Sequence, residues 1–188
     1  HALGPDSPAT FDSAIRVATD RDSVIELFFE DEAALARLAS LPEYQAEVRP
    51  DEAYFNDLTQ NIMVKAKPHL LFEATHVGRC KRFDFLVRAD GSDAAEFAER
   101  VLAGGADTAL DPWFTASIDR LVFNVPGWQG DGEGFGSGTY DCVIESWAAD
   151  FAALKAVTAI QELADIIAPE RSFTVYATEF IMIPPPET

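Results

Sequence analysis

From Lys81 to Arg88 apolar and polar positions alternate, with Phe83, Phe85 and Val87 on one side, which predicts a half-buried strand. Residues 92–103 switch to helical spacing, opened by Ser92 as N-cap with Glu96 near the first turn and closed by Gly104-Gly105. Leu121, Phe123 and Val125 mark a second strand, and residues 140–147 a third. Residues 150–167 read as a second helix stopped by Pro169, and residues 172–183 as a fourth strand. The order is βαββαβ, the ferredoxin-like arrangement. The tail Pro184-Pro185-Pro186 cannot extend a sheet and is expected to be an exposed end.

The first part of the chain shows a shorter version of the same pattern. Residues 22–30 are β-branched and aromatic and predict a strand. Residues 31–48 predict a helix, with Ala33, Ala34, Leu35, Leu38 and Leu41 at helical spacing, acidic Asp31 and Glu32 in the first turn, and Pro42 as a breaker. Residues 61–66 predict a strand and residues 74–80 a short linker.

The two parts are related in sequence. Asp22, Val24, Ile25 and Glu26 fall on Asp141, Val143, Ile144 and Glu145, and at the same offset Ala33-Ala34-Leu35 falls on Ala152-Ala153-Leu154. Val64-Lys65-Ala66 then resembles Val175-Tyr176-Ala177. The chain is therefore expected to be an α+β protein of tandem ferredoxin-like repeats, residues 1–75 and 76–188. The first repeat lacks its opening strand and helix, roughly 50 residues by the length of the matching stretch and short connections. They are expected upstream of His1, or a companion chain covers the sheet edge.

Composition narrows the partners. The 188 residues are 48% hydrophobic and carry 32 acidic against 14 basic groups, a net charge of −18. Such a surface repels phosphate backbones and anionic lipid, so neither nucleic acid nor membrane is an expected partner. No apolar run reaches the ~18 residues of a membrane span. Neither a basic n-region nor an apolar h-region follows His1, and a cytoplasmic location is expected. Cys80 and Cys142 read as reduced, partly buried thiols.

A family resemblance rests on Val24-Ile25-Glu26-Leu27-Phe28-Phe29, on Glu32-Ala33-Ala34-Leu35-Ala36-Arg37-Leu38-Ala39-Ser40 and on Asp51-Glu52-Ala53-Tyr54-Phe55. These resemble the second half of an EthD-type domain of the dimeric α+β barrel superfamily. Lys81–Arg88 resembles the first strand of a second such domain, and Tyr140–Ala153 its third strand and second helix. The resemblance implies two ferredoxin-like units closing a barrel sheet against sheet. It also implies small-molecule chemistry: lyases, dehydratases, isomerases, cyclases, cofactor-free oxygenases and some haem-binding relatives. The His-x-Pro usual near the end of the first helix is absent here, where Ala106–Ile118 holds Asp107, Asp111, Pro112 and Trp113. His1 resembles the histidine that sometimes ends the second strand.

Alternation sorts candidate site residues onto the barrel interior. Val24, Glu26 and Phe28 are expected there, with Val143, Glu145 and Trp147 as their counterparts. Asp84, Leu86 and Arg88 are expected to join them, as are Arg120, Val122, Asn124, Thr174, Tyr176 and Thr178. Aromatic walls with a few polar groups suit a ligand site, where a carboxylate serves as acid or base and an arginine holds an oxyanion. The catalytic candidates are Glu26, Glu145, His1, His69 and Arg88; the substrate-binding candidates are Phe28, Trp147, Arg120, Asn124, Tyr176, Trp113 and Trp128. Against this stands a structural reading, in which Glu26 pairs with Arg88 or Glu145 with Arg120 across sheets. His69 and His76 flank the linker, and the scattered histidines give no metal signature. The glycine-dense Gly127–Thr139 lacks the Lys-Ser/Thr ending of a P-loop and reads as a connector or a lid carrying Trp128 and Phe135.

The expected function is a cofactor-independent lyase or dehydratase acting on a small apolar or aromatic molecule by acid–base catalysis. The rivals are a cofactor-free monooxygenase and a non-catalytic hydrophobic-ligand binder. A homodimer or a companion chain is the expected protein partner.

Overall fold

The computed structural model describes residues 15–21, 23–55, 57, 61–126, 140–157 and 163–180. They form two compact units. The larger takes in the described residues up to Arg21 together with 64–126, 140–157 and 163–180; the smaller is built on Ser23–Met63. His1, Asp22, Trp128, Phe135 and the whole loop 127–139 lie outside the described residues.

The larger unit holds β1 (Arg16–Val17), β2 (Lys67–Glu73), β3 (Cys80–Leu86), α3 (Ala94–Leu110), α4 (Pro112–Thr115), β4 (Arg120–Val125), β5 (Cys142–Ala148), α5 (Phe151–Ala156) and β6 (Phe173–Thr178). The strands make one six-stranded mixed sheet in the order β1-β6-β3-β5-β4-β2. Only β1 with β6 is parallel; the other ladders are antiparallel. From β3 to β6, apart from the one-turn α4, the elements run βαββαβ, the order expected from the sequence. The smaller unit holds α1 (Glu32–Ser40), one wide π-helical turn (Tyr44–Val48) and α2 (Arg49–Phe55).

Several boundaries differ from expectation, each for a local reason. Residues 23–29 form no strand, and Ile25, Leu27 and Phe28 are exposed. Their β-branched and aromatic composition is realised as a strand only through cross-strand pairing, and no ladder includes them. The first helix ends at Leu41 ahead of Pro42, as the breaker requires. The strand expected at 61–66 lies instead at Lys67–Glu73. It is the sheet's outer strand beside β4, where Pro68 is tolerated because one side of the strand donates to no neighbour.

The cap of α3 is Asp93, not Ser92. Its Oδ1 accepts from the backbone N–H groups of Ala95 and Glu96 at 2.9 and 3.1 Å, which holds the carboxyl below the usual carboxylate range. The helix then runs through Gly104-Gly105 instead of stopping there. A Cβ on Gly105 would lie 2.5 Å from Leu71 Cδ1 and 2.6 Å from the Phe123 ring, so this glycine serves close helix-to-sheet approach and not termination. In the second helix the regular turns stop at Ala156, short of the expected 167, and Val157 is extended. Arg82 supplies the physical stop: its Nη1 lies 3.3 Å from Leu154 O and 3.4 Å from Val157 O, taking up end carbonyls that a continuing helix would use.

Registered neighbours share a face, which assigns the two sides of the sheet. One side carries Arg82, Asp84 and Leu86 of β3, Ile144 and Ser146 of β5, Leu121 and Phe123 of β4, and Thr174 and Tyr176 of β6. Helices cover this side: Arg82 reaches the end of α5, Phe151 meets the Tyr176 ring edge-on at 6.2 Å, and Gly105 abuts Phe123. The opposite side carries Lys81, Phe83 and Phe85, Val143, Glu145 and Trp147, Arg120, Val122 and Asn124, and Phe173 and Val175.

Candidate functional site

The face away from the helices concentrates the chemistry. Strand β5 is buried along its whole length. It brings Glu145 opposite Phe83 on one side and Val122 on the other, with Trp147 opposite Lys81 and Arg120. Glu145 Oε2 lies 2.6 Å from Lys81 Nζ. Its other oxygen, Oε1, accepts a short hydrogen bond from the Asn124 side-chain amide, whose nitrogen also lies 3.2 Å from Val143 O. Both members of the ion pair are out of water: side-chain exposure is 2% for Lys81 and 9% for Glu145.

Aromatic rings wall the pair. Lys81 Nζ sits 3.9 Å from the Trp147 ring centre and 4.5 Å from that of Phe83, within cation–π range of both. Arg120 lies 4.9 Å from the same indole ring. Trp147 Nε1 donates to Glu179 Oε1 at 3.1 Å, and that oxygen is 3.7 Å from Lys81 Nζ. Arg120 Nε is 3.0 Å from Glu73 Oε2, its register partner in β2, but off the N–H direction, so the contact is an ion pair and not a hydrogen bond. Exposure rises from Glu145 through Glu179 at 27% to Arg120 at 37%. At the far end of the same face Phe85 and Phe173 stack with centroids 4.7 Å apart, and Tyr140 meets both edge-on. Burial pushes the Tyr140 phenol up, against Arg21 and Arg16, so it remains a neutral donor.

This geometry answers the sequence expectations residue by residue. Glu145, Trp147, Arg120 and Asn124 come together on one face. Asp84 and Leu86 do not join them, and in the last strand Phe173 and Val175 take the places expected for Thr174 and Tyr176. The strand is one residue out of phase with the expectation, and a single step exchanges its faces. Phe83 and Phe85 take the face expected for Asp84 and Leu86, because β3 from Lys81 to Leu86 is buried on both sides and hydrophobic contrast does not separate them.

Other candidates are placed elsewhere. His69 pairs in register with Phe123, on the helix-covered side. Tyr176 is on that side too, beside Phe151. Arg88 makes a short ion pair with Asp141, whose Oδ2 also accepts from the Arg88 backbone N–H at 2.9 Å. Of the two structural pairings weighed from the sequence, Arg120 meets Glu73 in place of Glu145. Trp113 is exposed in α4, where its N–H is capped by Asp111 at 2.8 Å. Glu26 and Phe28 belong to the smaller unit, half-buried and exposed respectively. His1 and Trp128 lie outside the described residues.

Lys81 and Glu179 were not among the candidates. The signal for Lys81 was available: it is in phase with Phe83 and Phe85, a single ammonium in an aromatic row. Among the described residues no three His, Cys, Asp or Glu side chains group to hold a metal ion, and no helix is long and apolar enough to cross a membrane.

The two thiols are distinguished by burial. Cys142 is completely enclosed on the helix side, and burial pushes its thiol far up, with Asp84, Asp141 and Glu145 adding to the shift. Cys80 is partly exposed at the start of β3. The expected result of iodoacetamide treatment is alkylation of Cys80 alone in the folded protein, with Cys142 reacting on addition of denaturant. Peptide mass mapping reads this directly, and rapid native labelling of Cys142 would contradict the packing.

Fold and site thus define an α+β protein whose mixed sheet carries a buried lysine–glutamate pair between aromatic rings. Residues 6–59 match the family model described as EthD domain, so the EthD-like resemblance holds over that stretch and points to the dimeric α+β barrel superfamily. No curated protein matches the chain.

Proposed function

We propose that the chain is a cofactor-independent enzyme of lyase or dehydratase type, acting on a small apolar or aromatic organic molecule. The observation that carries this reading is the Lys81–Glu145 pair, 2.6 Å apart and enclosed by Phe83 and Trp147. Glu145 takes a proton from the substrate and returns it to the leaving group. Asn124 fixes the orientation of its second oxygen. Lys81 holds the charge of the carboxylate and of an oxyanion developing beside it. Trp147 and Phe83 receive the apolar body of the substrate, and Arg120 guards the outer end.

In this reading residues 76–188 are the second of two ferredoxin-like repeats, supported by the βαββαβ order from β3 to β6. Residues 1–75 are the first, and the face bearing Glu145 is the substrate face. Among the catalytic candidates named from the sequence, the proposal relies on Glu145 and adds Lys81.

The test is Glu145→Gln, which keeps the shape and an acceptor for Asn124. With aromatic β-hydroxy carbonyl compounds as candidate substrates, turnover is expected to fall by about 10²–10⁴-fold, the scale of a lost acid–base group. Undiminished turnover in a folded Glu145→Gln protein would end the acid–base assignment. The near-complete burial of the pair favours one rival, a hydrophobic-ligand binder, which predicts saturable binding of such compounds with no product.

A further inference from the structure

We propose that Lys81 is a covalent catalyst that forms an imine with an aldehyde or ketone, so that the substrate class is a carbonyl compound with an aromatic or other apolar body. The inference rests on the reading of this face as the substrate site. Three observations support it. Lys81 is the chain's one fully buried lysine, whereas Lys65 is half-buried and Lys67 and Lys155 are exposed. A carboxylate oxygen stands 2.6 Å from its nitrogen, at proton-transfer distance. Its surroundings are two aromatic rings, at 3.9 and 4.5 Å, which suit an uncharged carbonyl compound. A desolvated lysine beside a base is the arrangement that activates an amine nucleophile.

The step balances without any further reagent. The proton on Nζ passes to Glu145 Oε2, and the freed electron pair attacks the carbonyl carbon. The nitrogen proton moves to the former carbonyl oxygen, giving a carbinolamine. Glu145 returns its proton to that hydroxyl, the C–O bond breaks and water leaves. The product is a protonated imine paired with the Glu145 carboxylate, and nothing has been oxidised or reduced. The imine then draws electrons from the adjacent carbon, where Glu145 can remove a proton. This is the activation that elimination next to a carbonyl requires.

The full chain would be treated at neutral pH with benzaldehyde and sodium cyanoborohydride, which reduces an imine to a stable benzylamine, and mapped by peptide mass. The expected result is benzylation of Lys81 ahead of Lys65, Lys67 and Lys155, although Lys81 is the least exposed of them. In Glu145→Gln the rate at Lys81 is expected to fall by about 10²-fold while the other lysines react as before. Benzylation of the exposed lysines with Lys81 spared would overturn the imine. That outcome leaves the acid–base reading to its own test, because turnover of a β-hydroxy carbonyl compound and its loss in Glu145→Gln are measured separately. An equal Lys81 rate in wild type and Glu145→Gln would overturn the proton path through Glu145.

Discussion

Glu145→Leu is expected to lower the unfolding free energy by about 3–5 kcal/mol, because it leaves the Lys81 ammonium buried without its carboxylate. Glu179, 3.7 Å from Lys81 Nζ, offers partial compensation and sets the effect toward the lower end of that span. The double variant Lys81→Met/Glu145→Leu should recover most of the loss, since a buried ion pair and a well-packed apolar pair are close in stability. Asn124 keeps Val143 O near its amide, and Trp147 keeps Glu179, so the double variant strands few polar groups. Urea unfolding of both single variants and the double variant closes the cycle, with a coupling of more than about 3 kcal/mol expected. Additive losses would mean that the two side chains do not sense each other.

The same cycle separates stability from chemistry. A folded double variant retains the sheet, the aromatic walls and Arg120, yet lacks both the proposed base and the proposed amine. Under the proposed function it is stable and inactive. Under the binding reading it keeps its affinity for apolar ligands. Recovery of stability in the double variant with turnover still absent is therefore the outcome expected if the pair is catalytic.

The sequence carried the succession of β3, α3, β4, β5 and β6 because period two and period 3.6 are clean there, with turn residues between them. Cap chemistry was less legible: Ser92 and Asp93 are adjacent and equally suited, and the backbone places the carboxylate. Gly104-Gly105 resembles a helix stop in one dimension. Only the distance from Gly105 to Leu71 and Phe123 reveals a packing role. The segment at 23–29 shares three identities with 142–148, at Val24, Ile25 and Glu26, but a strand is a property of a ladder and not of a segment. The site was half legible for one reason. In β4 and β5, Glu145, Trp147, Arg120 and Asn124 were placed on a common face. In β3 from Lys81 to Leu86 and in β6 from Phe173 to Val175 both sides are buried, so contrast does not choose a face; β5 is equally buried, and its phase came from the match of Val143, Glu145 and Trp147 to Val24, Glu26 and Phe28.

The second large effect is expected on the other side of β3. Arg82 and Asp84 are each almost completely buried, with Arg82 Nε 2.9 Å from both carboxylate oxygens and Thr174 Oγ1 donating to Oδ1 at 2.5 Å. Asp84→Ala leaves the guanidinium enclosed without its counter-ion, and a loss of about 3–5 kcal/mol is expected in urea unfolding. Thr174→Val, which removes one donor and leaves the ion pair intact, should cost about 1 kcal/mol. The contrast with Lys81 and Glu145 lies in the double variant. Arg82 also takes the carbonyls of Leu154 and Val157 at the end of α5, and an apolar pair cannot replace those bonds. Arg82→Met/Asp84→Leu should therefore recover only part of the loss, with faster amide exchange confined to α5 at residues 151–156. Full recovery with unchanged exchange in α5 would show that the arginine contributes nothing to the helix end.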